Sequence, residues 1–416
     1  MESTSVTTSF VPFNVAVIGC GIGGLAAAIA LRRHGHIVTV YERSHFASEV
    51  GASLTIAANG TKYLNQWGID IIGARAIIVE KLIMRNWTDG TIRDVYDFND
   101  YKTKWGSNYY MFHRIDLHEQ MQLTAKTLGV NIILDHKAVN INSVEGIVTF
   151  DNGTSTRADL IIGADGVRSC VREQIGIMPQ TKPCTSTCYR CVIPTSRVKQ
   201  LNLKNFSNDH AIQFWGGFGI NKIVVTVCSD SEIVAFYCFY PAAHNDRTEE
   251  GWNFSATSLM LRAPFPDLDP DLLAIFEHVE DIKLWKLVVH DPYPYWVKDR
   301  VALLGDAAHP MLPDQSQGSC MAIEDAAALA LIFSPEHWGK NVHTIEHGLQ
   351  LYEQLRKSRA TRIQEASARA RENLNERIGW STKRNIDKSE NIKIAKLTID
   401  EINAYDMEAH LNTLIK

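Results

Sequence analysis

The stretch Phe13–Glu42, FNVAVIGCGIGGLAAAIALRRHGHIVTVYE, decides the fold. FNVAVIG is a short apolar, partly β-branched run, the form of a buried parallel strand. GLAAAIALRRHG is rich in Ala and Leu and ends on Gly35, which suits a helix and its end. IVTVYE is β-branched again and stops at an acid. Two strands joined by a helix form a right-handed unit with the helix packed on the sheet. Between the first strand and the helix, GCGIGG places Gly19, Gly21 and Gly24 in the spacing G-x-G-x-x-G. Gly19 permits the tight turn, Gly21 lets the backbone approach a pyrophosphate, and Gly24 lets helix and strand pack closely. The helix N-terminus offers free N–H groups and a partial positive charge to phosphates. Glu42 closes the second strand. A carboxylate there accepts hydrogen bonds from both hydroxyls of an adenosine ribose and repels a 2′-phosphate, so the expected ligand is FAD or NAD and not NADP.

Two more apolar strands choose between those cofactors. DLIIGADG (159–166) and RVALLGDAAH (300–309) each end in a Gly/Asp turn, placing Asp165 and Asp306 at the carboxyl edge of a sheet. A flavin's ribityl chain carries hydroxyls that need an acceptor, and Asp306 can supply one. QGSCMAIEDAAALAL opens a helix at Gly318, whose N-terminus can face the isoalloxazine carbonyls and stabilise negative charge on the reduced ring. A plain NAD dehydrogenase has no need of this second site, so FAD is the expected cofactor.

From about 180 to 282 the pattern changes. AIQFWGGFGINKIVVTVCSDSEIVAFYCFYP (211–241) is aromatic and β-branched, with a polar turn at 229–232. That reads as antiparallel strands and hence a separate sheet domain. From about 345 to 380 the chain is charged and helical, and a polar tail follows. The expected class is α/β: a Rossmann-like FAD-binding domain, an inserted antiparallel-sheet substrate domain and a C-terminal helical segment. The expected division is FAD-binding segments at 1–80, 113–180 and 283–345, substrate-sheet segments at 81–112 and 181–282, and C-terminal helices and tail at 346–416.

Composition excludes other classes. The 416 residues are 45% hydrophobic and 21% charged, which rules out a disordered or fibrous chain. The net charge of -5 leaves no basic surplus for phosphates, so nucleic acid is not an expected partner. No apolar run reaches the roughly 18 residues of a membrane span. MESTSVTTSFVPF does not read as a secretory leader, and the eight scattered cysteines read as thiols, so a cytoplasmic location is expected. Cys184, Cys188 and Cys191 lie close together without an adjacent fourth ligand, so no metal is expected.

With these motifs in place, the sequence resembles the single-component, class A flavoprotein aromatic hydroxylases, above all the fungal salicylate hydroxylase-like members. The resemblance covers about 14–380 and rests on GCGIGG with YER, HRIDLH (113–118), GADGVRSCVR (163–172) and GDAAHPMLPDQSQGSCMAIEDA (305–326). It implies that Glu42 binds the adenosine ribose and Arg43 the neighbouring phosphate region. It lays Ala52 and Ser53 along the flavin and sets Arg114 at the pyrophosphate or ribityl. Asp165 and Arg168 are associated with FAD and pyridine nucleotide. Asp306 holds the ribityl chain, while Pro313, Gly318 and Ser319 shape the loop beside the reactive ring. Two departures stand out. Ser316 occupies a position where many members have Gly, which implies a different local bend. KIVVTVC (222–228) lacks the Tyr-Pro pair that many members carry in the substrate sheet.

The resemblance also implies the reaction. NAD(P)H reduces FAD, dioxygen gives a flavin hydroperoxide, and one oxygen atom passes to a phenol or aromatic acid, with or without loss of a carboxylate. Water must be excluded, and a base or a cation that stabilises phenolate should stand near the ring. Phe214, Trp215, Phe218, Phe236, Tyr237 and Phe239 could wall a dry pocket, although period-two alternation lets only about half face inward. Trp215 and Tyr237 are taken as substrate contacts. Arg190, in YRCVIP, is the candidate for a substrate anion. His210 and His309 are candidates for proton handling, with Lys222 a further one. Epoxidation of a secondary metabolite by the same chemistry, an oxidase and a non-catalytic flavin scaffold remain open, as do NADH versus NADPH and monomer versus homodimer.

Overall fold

The structure, a computed structural model, describes residues 10–45, 53–203, 210–219, 221–244, 251–384 and 396–416. Ala52 lies outside them. The six-stranded sheet grows outward from the stretch quoted first. Asn14–Ile18 is its central strand, with Ile37–Tyr41 and Asn131–Ile133 on one side and Leu160–Gly163 and Val301–Leu303 on the other. These five strands are parallel, and a short antiparallel strand, Val297–Lys298, ends the sheet. The strands are mostly apolar because helices pack on the sheet and a small antiparallel sheet, residues 138–157, also lies against it, where Tyr41 stacks on Phe150 at 4.6 Å. Helix Ile22–Arg33 packs on Gly318–Ile332, and nine of the first helix's twelve residues are buried.

Register carries the functional consequence. Ile18 pairs with Gly163, and Gly163 pairs with Leu303. The chain therefore leaves all three strands at one level. Gly19, Asp165 and Asp306 emerge side by side at the carboxyl edge, where open α/β sheets bind ligands.

The second large sheet has eight strands, in the spatial order 251–256, 280–286, 186–194, 233–241, 222–228, 211–216, 81–85 and 92–97. Neighbours are antiparallel except Ala211–Gly216 with Lys81–Arg85, which run parallel. That pairing joins two distant parts of the chain and gives the insertion one parallel seam. Two expected segment boundaries need correction. Residues 112/113 and 282/283 both fall inside strands, Tyr110–His113 and Glu280–Lys286. Tyr110–His113 pairs with Ser53–Ile56 in a small separate sheet and not with the large one. Strand ends are set by partners remote in sequence, such as Leu284 opposite Tyr189, and local composition does not report them.

The helix Ile345–Glu372 lies across Gly318–Ile332, and the C-terminal helices dock on it. Thr344 caps its first turn by accepting the His347 N–H. Among the described residues no helix is long and apolar enough to cross a membrane.

Candidate active site

The glycine loop is shaped first by close backbone contact. Gly19 has φ +103°, and a Cβ there would lie 2.4 Å from the Ala164 carbonyl oxygen. A Cβ on Gly24 would lie 2.0 Å from the Gly19 oxygen. A Cβ on Gly21 would meet nothing within 4 Å. Gly19 and Gly24 are therefore required for packing, whereas Gly21 borders open space at a helix N-terminus that no side chain caps. That is the arrangement a pyrophosphate needs. Glu42 Oε2 accepts the Cys20 N–H at 2.8 Å, and its Oε1 accepts from Ser44. Its carboxylate therefore braces the glycine loop. Arg43 stands exposed beside it.

Asp165 has a local task. Its oxygens accept from Ser169 Oγ at 2.5 Å and Val171 N at 3.1 Å, fastening the turn into Cys170–Gln174. Burial raises its carboxyl above the ordinary range, against those hydrogen bonds. Arg168 is exposed.

Asp306 differs. It accepts no hydrogen bond among the described residues and is exposed, yet desolvation pushes its carboxyl up, opposed by His309, Arg114 and His290. A side chain that is accessible but poorly solvated stands in a crevice. Free acceptor oxygens in a crevice beside the Gly21 opening suit the hydroxyls of a ribityl chain. Helix Gly318–Ile332 likewise starts without a side-chain cap, and a Cβ on Gly318 would meet only Met311 Cγ, at 3.8 Å. Ser319 is half-buried in its first turn. Two uncapped helix starts and one unpaired carboxylate at a common sheet edge fit FAD.

Sequence reasoning missed how the Gly-Asp loop is held. Asp325, about two helix turns beyond Gly318, accepts the Gly305 N–H at 3.1 Å and the His309 Nε2–H at 2.5 Å. Arg356 donates to the other Asp325 oxygen at 2.9 Å and to Glu324 at 2.6 Å. His309 is 2% exposed. Its Nε2 is committed to this knot, so the structure makes it an anchor of the loop. A second unforeseen chain links the two aspartate motifs. Arg172, buried at the end of GADGVRSCVR, lies over the Tyr293 ring at 5.0 Å. Tyr293 pairs with His290 at 2.9 Å, and His290 in turn steadies Asp306.

The eight-stranded sheet sorts the aromatic candidates by face, since directly opposed residues on neighbouring strands share one. One row runs Lys283, Arg190, Tyr237, Val224, Phe214, Met84. The row beyond it holds Cys188, Phe239 and Lys222. This face meets the cofactor side. Tyr237 donates to the Ser53 carbonyl, Thr226 and Ser53 hydroxyls meet at 2.6 Å, and Lys222 donates to Asp314 in the turn after Pro313. Phe214 packs edge-on against Trp380, 5.2 Å between centroids. Trp215 points the other way. It is 1% exposed, donates to Asp269 at 2.9 Å and stacks with Arg85, so it is core and not a substrate contact. Phe236 packs with Phe276 on that same far side. Phe218 is 44% exposed under Arg93. His210 also needs correction: it sits at φ +47° on the surface, 3.6 Å from Glu80, because it precedes the strand instead of lying within it.

Arg190 is 5% exposed, and burial lowers its guanidinium, with Tyr237 opposing and Arg114 adding to the shift. Arg114 acts on Asp306 as well. Arg190, Arg114 and Asp306 thus share one electrostatic neighbourhood, although they come from three separate elements. Burial pushes the Tyr237 hydroxyl up to about 12, so it remains a neutral phenol at physiological pH. Ser316 holds φ +55° and ψ +37°. The serine thus adopts a left-handed turn that a glycine makes without strain, and the departure noted in the sequence costs strain of about 1–2 kcal/mol.

This site defines a dinucleotide-binding flavoprotein with a second, aromatic-lined sheet beside the flavin loop. A family described as FAD binding domain matches residues 13–410, and the chain belongs to that family. Hispidin-3-hydroxylase of Neonothopanus nambi is 32% identical over 369 residues, 83% of this chain and 86% of the relative. The 6-hydroxynicotinate 3-monooxygenase of Bordetella bronchiseptica is 31% identical over 357 residues, 85% of this chain and 90% of the relative. The fold matches a salicylate hydroxylase substrate complex with a TM-score of 0.75 at 22% identity, covering 96% of this chain and 97% of that one. It matches CtdE, crystallised with FAD and a substrate, with a TM-score of 0.80 at 23% identity, covering 96% and 97%. The chain is an enzyme, an FAD-dependent monooxygenase of the aromatic hydroxylase class.

Proposed function

We propose that the enzyme hydroxylates a phenol or aromatic acid held against the Arg190–Tyr237 row, consuming NAD(P)H and dioxygen. The observation that supports this is that Arg190, a buried cation on the aromatic sheet, and Asp306, on the Gly-Asp loop, each feel the charge of Arg114. FAD held there would supply the oxygen-transfer chemistry, with NAD(P)H as the two-electron reductant and dioxygen giving one atom to the ring and the other to water. The chain's own residues do the rest. Gly21 admits the pyrophosphate, Glu42 takes the ribose, Asp306 takes the ribityl hydroxyls, and the Gly318 helix start stabilises charge on the reduced ring.

Arg190 fixes the ionised oxygen of the substrate. A cation there favours phenolate, the electron-rich form that accepts oxygen, without a dedicated base. Tyr237, neutral and tethered to Ser53, orients the ring, and Phe214 and Phe239 exclude water. The described cysteines are all free thiols, in keeping with a cytoplasmic enzyme. A monomer or homodimer fits this scheme.

The test is a screen of phenolic acids that follows NAD(P)H oxidation beside product mass. Substrate-stimulated oxidation with a product heavier by one oxygen is expected, and Arg190→Ala should keep its flavin yet lose most of that stimulation. Flavin reduction that no aromatic compound stimulates would leave an oxidase or a scaffold.

A further inference from the structure

One buried charge cluster joins three distant parts of the chain, and none of the steps above uses it. Lys222, on the cofactor-facing side of the eight-stranded sheet, donates to Asp314 Oδ1. Arg371, near the end of the Ile345–Glu372 helix, donates to the same oxygen at 3.0 Å. The side chains of Lys222 and Arg371 are 2% exposed and that of Asp314 is not exposed at all. Phe239 lies under both cations, 5.2 Å from Lys222 Nζ and 4.1 Å from the Arg371 guanidinium. Buried ion pairs are a poor source of stability, since desolvation offsets most of the attraction. What such a cluster does supply is fixed geometry.

Asp314 belongs to the turn Pro313–Gln317 that leads into the Gly318 helix start. Gln315 ties this turn to the Glu376 carbonyl at 2.8 Å and to the Ile378 N–H at 2.9 Å, and Arg377 reaches Ser316. Those anchors all lead to the long helix and the segment after it. Lys222 ties the turn to the sheet instead.

We propose that Lys222 is a positioning residue for the flavin: through Asp314 it fixes the Pro313–Gln317 turn, and so the Gly318 helix start, against the isoalloxazine ring. The proposal rests on the cofactor placement given under the proposed function. It makes the aromatic sheet and the flavin turn one mechanical unit, so the gap between substrate and reacting ring is set by a buried ion pair.

The charged and titratable groups facing Lys222 are Asp314 from the turn, Arg371 from the long helix and Arg377 from the segment after it. On its own sheet stand the Cys188 thiol, which burial pushes up, and Arg190 further along that strand. Burial lowers the Lys222 ammonium to about 8, Asp314 opposes this, and Arg371 and Arg377 add to it. The charge-assisted bond to Asp314 is therefore present below about pH 8 and lost as pH rises through it.

The test is a pH titration of the visible spectrum of FAD-loaded enzyme without substrate. Wild type should show a step centred near pH 8. Lys222→Arg stays charged through that range and should abolish the step. Lys222→Met should show the high-pH spectrum at every pH and release hydrogen peroxide from NAD(P)H oxidation roughly fivefold faster, the worth of one lost hydrogen bond. A wild-type spectrum without the step, or a step that survives in Lys222→Arg, overturns the proposal. Should Lys222→Met not fold, the wild-type and Lys222→Arg titrations decide the matter. Asp306→Asn separates the two readings. FAD retained at full affinity in that variant faults the cofactor placement itself, whereas FAD lost from that variant, with no step in the wild-type titration, faults Lys222 alone.

Discussion

The two loops that flank the cofactor site are built by opposite means. The loop Gly19–Gly24 is shaped mainly by backbone against backbone, Gly19 against Ala164 and Gly24 against Gly19, with Glu42 and His118 bracing only the Cys20 backbone and no side chain capping its helix. The loop from Gly305 to Gly318 is shaped by side chains reaching in from elsewhere. Asp325 holds its beginning, Lys222 and Arg371 hold Asp314, and Gln315 reaches out to residues 376 and 378. The first loop needs particular absences of side chain. The second needs particular partners. A rigid pyrophosphate tolerates a fixed cradle, whereas a reacting ring beside a substrate sheet needs a loop that both neighbours can position.

Substitutions can break this contrast, and the largest effect belongs to the first loop. Gly24→Ala should cost on the order of 3–5 kcal/mol, because its Cβ would overlap backbone that cannot move aside. Gly21→Ala should leave the thermal midpoint of the cofactor-free protein unchanged while weakening FAD roughly tenfold or more, since its Cβ fills only the ligand's space. Equal thermal losses in the two variants would erase the distinction between packing glycine and ligand glycine.

The second loop should fail through its anchors. Asp325→Asn removes the charge facing Arg356 and weakens the hold on Gly305 and His309, with an expected cost of roughly 3–5 kcal/mol by chemical denaturation. A drop well below that would mean that His309 holds the loop by other contacts.

Acid probes the same knot. Burial alone would raise the Glu324 carboxyl, but Arg359 and Arg356 prevail and hold it at about 2, against an ordinary 4.5. A folded-state value below the unfolded one stabilises above the unfolded value and fades as pH falls toward the folded one. Glu324 therefore contributes roughly 3 kcal/mol above pH 4.5, lost progressively down to about pH 2. Glu324→Gln should flatten that part of the stability curve, and a curve of unchanged slope would remove Glu324 from the knot.

The smallest expected effect sharpens the comparison from the other side. Ser316→Gly relieves a left-handed residue but frees the unfolded chain, so stability should rise by only about 0.5 kcal/mol. A fall would show that the Ser316–Arg377 contact at 3.3 Å outweighs the strain.

Much of the cofactor site was legible in the sequence, because its determinants are local. Three glycines between a strand and a helix, an acid at the end of the next strand, and two Gly/Asp turns after apolar runs each carry their own geometry. The alternation that divides Phe214 and Tyr237 from Trp215 and Phe236 was legible as a rule but not as an outcome. A one-residue shift of register would have exchanged the two faces. The settings of His210 and His309 were not legible, because a histidine's neighbours, a surface glutamate in one case and Asp325 in the other, come from distant strands and helices.

The sequence by itself therefore determined the βαβ unit, its glycine loop and a dinucleotide as ligand, since strand period, glycine spacing and a terminal carboxylate act within about thirty residues of chain. Only the tertiary structure decided which aromatic face meets Ser53 and Asp314, that Asp325 and Arg356 hold the Gly-Asp loop, and that Lys222 and Arg371 converge on Asp314. Those contacts join residues 31 to 92 positions apart, and such pairings depend on sheet register and helix packing that no local window of sequence contains.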